Sequence, residues 1–169
     1  SLFLRGEGDE DAVSHNDVEQ GFLNDCTFMA ALGAVANANP SAIKNLIDGP
    51  DSKGNYTVTL YVNSSDNNLV GKTAKKVVVT PEVVAFRDGR FAYAGDGDGE
   101  LWPMLIEKAF VILRDGKIDT GESYENIEDI GVTGAMNALT RGNANTLSTN
   151  IDKSKLTGYI HFAIKHKQA

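Results

Sequence analysis

Gln20-Gly21-Phe22-Leu23-Asn24-Asp25-Cys26-Thr27-Phe28-Met29-Ala30-Ala31-Leu32 is the stretch whose reading decides the fold. It holds the only cysteine of the chain, at the point where a turn hands over to a helix. Asp25 has the side chain of an N-cap, and from Cys26 to Ala38 nearly every residue is apolar or a helix former. Phe28, Met29, Ala31, Leu32, Val35 and Ala36 spread around the helix instead of forming one stripe, which predicts a central, buried helix. Its first turn is then a fixed platform for Cys26. A thiol at a helix N-terminus faces unpaired N–H groups and the positive end of the helix dipole, and both favour a thiolate. The same N–H groups can receive an oxyanion, and the amide of Gln20 can swing to the same point. The competing reading is a small buried apolar cysteine, a common use of a free thiol. The Gln-Gly pair, the Asp and the helix start favour the reactive one.

Read as Gln20-Gly-x-Leu-x-Asp-Cys26-x-Phe-Met-Ala-Ala-Leu32, the segment resembles the active-site segment of calpain-type, papain-fold cysteine proteases, their bacterial members in particular. Two further blocks carry the resemblance: Glu100-Leu-Trp-Pro-Met-Leu-Ile-Glu-Lys-Ala-Phe110, and Ser123-Tyr-Glu-x-Ile127 followed by Gly131 and Leu139-Thr140. The resemblance implies an α+β fold, the Cys-bearing lobe of a papain-like protease. It implies Cys26 as nucleophile, Gln20 as oxyanion donor, a polypeptide substrate, and neither cofactor nor metal. Asn24 stands where the family has Gly, and Thr27 where it has an aromatic residue that would wall the cleft.

A thiol protease also needs a histidine base and a group that orients it. The resemblance implies that both lie downstream, in a second β-rich lobe. His161 and His166 are the histidines in that region, and no Asn follows Asn150. His161, in His161-Phe-Ala-Ile164, is the candidate base; otherwise the chain stops short of the second lobe. A truncated chain, a cleaved polypeptide and a natural half-lobe all fit. Two further function classes stay open: a secreted bacterial effector or toxin module held by an inhibitor or immunity protein, and a non-catalytic scaffold that binds a partner through the cleft.

The chain has 169 residues, 41% of them hydrophobic, enough for one domain with a proper core. Its net charge of −7 argues against unaided binding to nucleic acid or an anionic membrane, which would repel it. One cysteine excludes an internal disulfide framework and fits a reducing compartment, either the cytoplasm or the destination of a secreted effector. No apolar run approaches membrane-spanning length. The start at Ser1, without a signal-peptide pattern, fits a processed chain.

Residues 1–17 read as an acidic lead-in and 18–169 as the protease-like lobe. His15, in the lead-in, reads as a solvated loop histidine, since nothing nearby in sequence would orient its ring. After the central helix, Asn39-Pro40-Ser41 breaks the chain, and Ser41 is expected to cap a short helix over Ala42–Ile47. Residues 55–94 are expected to form a small antiparallel sheet. Within it, Tyr56, Val58, Leu60 and Val62 alternate with polar positions, residues 75–80 form a second strand, and 83–86 offer a third. Asn55-Tyr-Thr57 and Asn63-Ser-Ser65 match the glycosylation pattern by chance. Gly95-Asp96-Gly97-Asp98-Gly99-Glu100 offers carboxylates to calcium but lacks the twelve-residue ligand spacing, so it reads as a turn-rich helix entry.

Leu101–Leu113 predicts a second long helix, with Pro103 in its first turn and Leu101, Leu105, Ala109, Ile112 and Leu113 as its apolar stripe. Glu107 and Lys108 read as its solvated face or a local pair rather than a catalytic dyad, and Trp102 as either a core residue or a groove wall. Thr133 is expected to cap a third helix through Leu139. Thr146–Thr149 and Tyr159–Ile164 read as strands, the latter on its strict alternation.

Overall fold

The computed structural model describes residues 1–5, 10–21, 25–62, 71–82, 87, 94, 99–115, 131–142 and 152–165. A 3-10 turn at His15–Asp17 precedes helix α1 (Cys26–Ala38) and helix α2 (Pro40–Lys44). Strands β1 (Ile47–Asp48), β2 (Tyr56–Val62) and β3 (Thr73–Val79) follow, then helices α3 (Trp102–Asp115), α4 (Val132–Thr140) and α5 (Lys153–Lys165). The expected 83–86 strand, the 95–98 loop and the 146–149 strand lie outside the described residues. What is described is an α+β arrangement of helices around a three-stranded antiparallel sheet in the order β1-β2-β3.

The sheet follows its alternation. Tyr56, Val58, Leu60 and Val62 are all buried on one face of β2, as a period of two requires. Val58 lies opposite Val77, and Tyr56 opposite Val79, so the two buried residues of β3 meet the buried face of β2. The turn between β1 and β2 rests on Asp51, whose Oδ1 accepts the N–H groups of Lys53 and Asn55 at 2.8 and 2.9 Å. Gly49 sits at φ +124°, and a Cβ there would come within 3.0 Å of the Asn55 carbonyl oxygen. Only glycine fits that position.

Helix α1 occupies the span the sequence predicted, and its six expected core residues are all buried. It packs against α2, α4 and the 3-10 turn, while α3 lies on β2 and β3. Phe28 of α1 stacks on Phe110 of α3, ring centroids 4.1 Å apart, which joins the two long helices through the core.

The short helix begins earlier than expected, at Pro40, because Asn39 rather than Ser41 caps it. The Asn39 side chain accepts the Ala42 N–H at 3.2 Å and Pro40 takes the first helical position, where no N–H is needed. Ile47 belongs to β1 instead. Asn39→Ala is expected to cost about 1 kcal/mol in urea unfolding, and Ser41→Ala close to nothing. Helix α4 likewise starts at Val132 behind Gly131, without the cap expected of Thr133.

Two further expectations fail. Glu107 and Lys108 are not on a solvated face: both are buried, because Trp102–Val111 is covered on all sides. Lys108 Nζ donates to the carbonyls of Thr80 and Glu82 at 2.9 and 2.6 Å, fastening the segment after β3 to α3. Burial pulls the Lys108 pKa down. Tyr159–Ile164 is not a strand but the second half of α5. Asp152 starts that helix, its carboxylate accepting the Ser154 N–H at 2.8 Å and its carbonyl the Leu156 N–H at 2.9 Å. The alternation of Ile160, Phe162 and Ile164 overlaps a four-residue spacing (Leu156, Ile160, Ile164), and the helical period wins.

Candidate active site

Cys26 is the first residue of α1, and one face of that helix is left uncovered. Cys26, Met29, Ala30, Gly33, Ala34 and Asn37 recur at helical spacing and line an open groove of about 540 Å³. His15, Val18 and Gln20 line the same groove from the segment that leads into the helix. Cys26 and Gln20 are both exposed there.

That segment is held from below. Asp17 is buried; its Oδ2 accepts the Ser14 N–H at 2.7 Å and the Trp102 indole N–H at 3.2 Å. Trp102 is thereby settled as a core residue with a polar task, tying residues 14–17 to α3. The N-terminal residues pack on the same region: the Ser1 carbonyl accepts the Leu101 N–H at 3.1 Å, and the Leu4 N–H donates to Glu100 Oε1.

The structure brings Cys26 and Gln20 into one groove and does not bring His161 there. His161 stands on the exposed surface of α5, and the groove-lining residues do not include it. His15 does line the groove, anchored beside Gly33, where an added Cβ would lie 3.9 Å from its own. Gly33 is two helical turns beyond Cys26, about 10 Å along the axis. Among the described residues none is hydrogen-bonded to the Cys26 sulfur, and none of them forms a cluster of three metal-ligating side chains.

Asp25 occupies the N-cap position without capping. Its carbonyl accepts the N–H groups of Phe28 and Met29 at 2.7 and 3.1 Å, but its side chain makes no cap hydrogen bond. The carboxyl turns inward to Glu107 of α3 instead. The first-turn N–H groups of Cys26 and Thr27 are therefore left uncapped by the Asp25 side chain, at the mouth of the groove.

Burial pushes the Asp25 pKa up to about 6, and the neighbouring Glu107 carboxyl pulls it partly back. Burial raises Glu107 as well, and the neighbouring Asp25 charge raises it further. Both folded-state values lie above their unfolded ones, so the stability tied to these protons is complete below about pH 4 and is lost as pH rises through the two folded-state values, about 6 for Asp25. Glu107→Gln removes one of the two titrating carboxyls from the balance. The difference in unfolding free energy between pH 5 and pH 7 is expected to be smaller in that variant than in the parent by on the order of 1–2 kcal/mol. Urea unfolding of both proteins at the two pH values checks this.

A sequence model described as calpain family cysteine protease matches residues 9–169. The chain belongs to the calpain family.

Among individual relatives, it is 29% identical over 149 residues to Calpain-5 of Caenorhabditis elegans, covering 86% of this chain and 20% of that protein. It is 28% identical over 135 residues to Calpain-7 of Homo sapiens, covering 72% of this chain and 16% of that one. This calpain-family chain thus spans a fifth or less of the length of these two curated relatives.

Sequence reasoning missed the Asp25–Glu107 pair, although a signal for it was present. Trp102–Val111 is apolar all round apart from Glu107 and Lys108, and such a helix is buried. A charged residue inside it has to be buried with a partner. No helix among the described residues is long and apolar enough to cross a membrane.

Proposed function

We propose that this chain is the nucleophile-bearing, papain-like lobe of a cysteine endopeptidase. The observation that carries the reading is the shared groove of Cys26 and Gln20 at the mouth of a buried helix. A polypeptide lies in the groove with its scissile carbonyl over the α1 N-terminus. The Cys26 thiolate attacks the carbonyl carbon, and the C=O electron pair moves onto oxygen. That oxyanion is received by the Cys26 backbone N–H and the Gln20 side-chain amide. Collapse of the tetrahedral intermediate breaks the C–N bond, and the amine leaves with a proton delivered by the base. Water then hydrolyses the thioester and frees Cys26.

In this reading Cys26 is the nucleophile, and its backbone N–H and the Gln20 amide are the oxyanion donors. The same reading takes the base as a histidine brought to the sulfur from a second lobe; among the described residues, neither His161 on α5 nor His15 beside Gly33 is hydrogen-bonded to it. Iodoacetamide tests the reading: Cys26 is expected to alkylate faster than free cysteine at pH 7. A thiol no faster than free cysteine would favour the scaffold reading. Gln20→Ala is expected to lower kcat for peptide hydrolysis by ~10²–10³-fold with little change in KM, because the donor acts on charge that exists only in the transition state. A fluorogenic peptide assay reads both constants.

A further inference from the structure

We propose that Asp25 and Glu107 hold one proton between their carboxyl groups, and that this bond positions the first turn of α1, and with it Cys26, against α3. Asp25 is 3% exposed and Glu107 1%. Glu107 Oε2 accepts the Ala94 N–H at 2.8 Å. Glu107 Oε1 and both oxygens of Asp25 meet no N–H or O–H donor of the described residues; what they face is each other. Two ionised carboxylates in contact have no donor between them and repel in a site without water's screening. One proton converts that repulsion into a charge-assisted O–H···O bond. Among the described residues, the only charged group acting on either carboxyl is the other one; Lys108, next along α3, is turned to Thr80 and Glu82.

The position of Asp25 gives the bond its consequence. Its backbone carbonyl is held in α1 by the N–H groups of Phe28 and Met29, and the shared proton ties its side chain to α3. Cys26 follows directly, so the thiol and its N–H inherit a fixed direction. Because the carboxyl is used inward, it does not compete for the N–H groups at the groove. The positioning half of the proposal rests on the reading of Cys26 as the nucleophile; the shared proton does not.

Infra-red spectroscopy at pH 7 tests the proton. The chain is expected to show the C=O band of a protonated carboxyl, and Glu107→Gln to lose it. No band in the unaltered chain overturns the proposal. So does a band that emerges only after treatment with a chelator, which would assign the pair to a bound cation. Iodoacetamide alkylation of Cys26 tests the positioning. Glu107→Gln keeps shape and a donor to Asp25, and is expected to stay within about threefold of the unaltered rate. Glu107→Leu strands Asp25 and is expected to slow alkylation ~10–100-fold. Where Glu107→Leu does not fold, Asp25→Ala makes the same comparison by removing the other half of the bond. Equal rates in folded variants overturn the positioning role. If Cys26 of the unaltered chain reacts no faster than free cysteine while the band is present, the nucleophile reading falls and the shared proton stands.

Discussion

With the lobe that brings the base present, Cys26→Ala is expected to lower peptide hydrolysis by roughly 10⁴–10⁶-fold while leaving the fold intact, since on the proposed mechanism groups that act as a unit lose nearly everything when the nucleophile goes. The structure predicts the two halves of this result separately. Cys26 is exposed on the open face of α1, so removing its sulfur opens no core cavity, and the change in stability should stay within about 0.5 kcal/mol. The activity half has no substitute to fall back on, because the chain has no second cysteine. On the proposed mechanism, Gln20 and the first-turn N–H groups stabilise charge but cannot attack a carbonyl. Equal melting temperatures with hydrolysis retained would show that the bond is cut by a group outside this groove. Equal melting temperatures with hydrolysis lost would place the chemistry on one sulfur.

How far the sequence disclosed this site depends on the range over which each residue's partner lies. Cys26, its helix and the six core residues of α1 were legible because a helical period and a helix start are local patterns. The same holds for β2, whose alternation matched its buried face, and for Pro103 inside the first turn of α3. Asp25 was legible as a residue at a helix start and illegible in its use. Whether an aspartate at that position caps or turns inward is decided by a partner eighty-two positions away in Glu107, by subtraction of the two numbers. Lys108 and Trp102 were obscured for the same reason, since their acceptors at Thr80, Glu82 and Asp17 belong to other elements. His161 shows the opposite limit. Its neighbours alternate well enough to mimic a strand, yet Asp152 nucleates a helix through them, and a local pattern of six residues carries two readings.

Phe110→Ala is the substitution expected to damage the molecule most through its packing, and it also connects the core to the thiol. Phe110 is fully buried on α3 and its ring lies on Phe28, 4.1 Å between centroids and 19° from parallel. Truncating a buried phenylalanine costs about 3–5 kcal/mol, part transfer and part cavity. Native domains have only ~5–15 kcal/mol in hand, so roughly a fifth or more of the stability is at stake. For a chain of this size the melting temperature should fall by roughly 6–20 °C. Ile160→Ala on the half-exposed surface of α5 removes a comparable aliphatic side chain and is expected to change stability by less than ~0.5 kcal/mol. The contrast isolates burial from hydrophobicity. Phe28 is only two residues beyond Cys26, on the opposite, covered side of the same first turn. Loss of its stacking partner therefore loosens the platform itself, and alkylation of Cys26 should slow in Phe110→Ala at temperatures where the variant is still folded. Unchanged alkylation alongside a lowered melting temperature would mean that the first turn is held from its own side, by Asp25 and Glu107, without help from the aromatic pair beneath it.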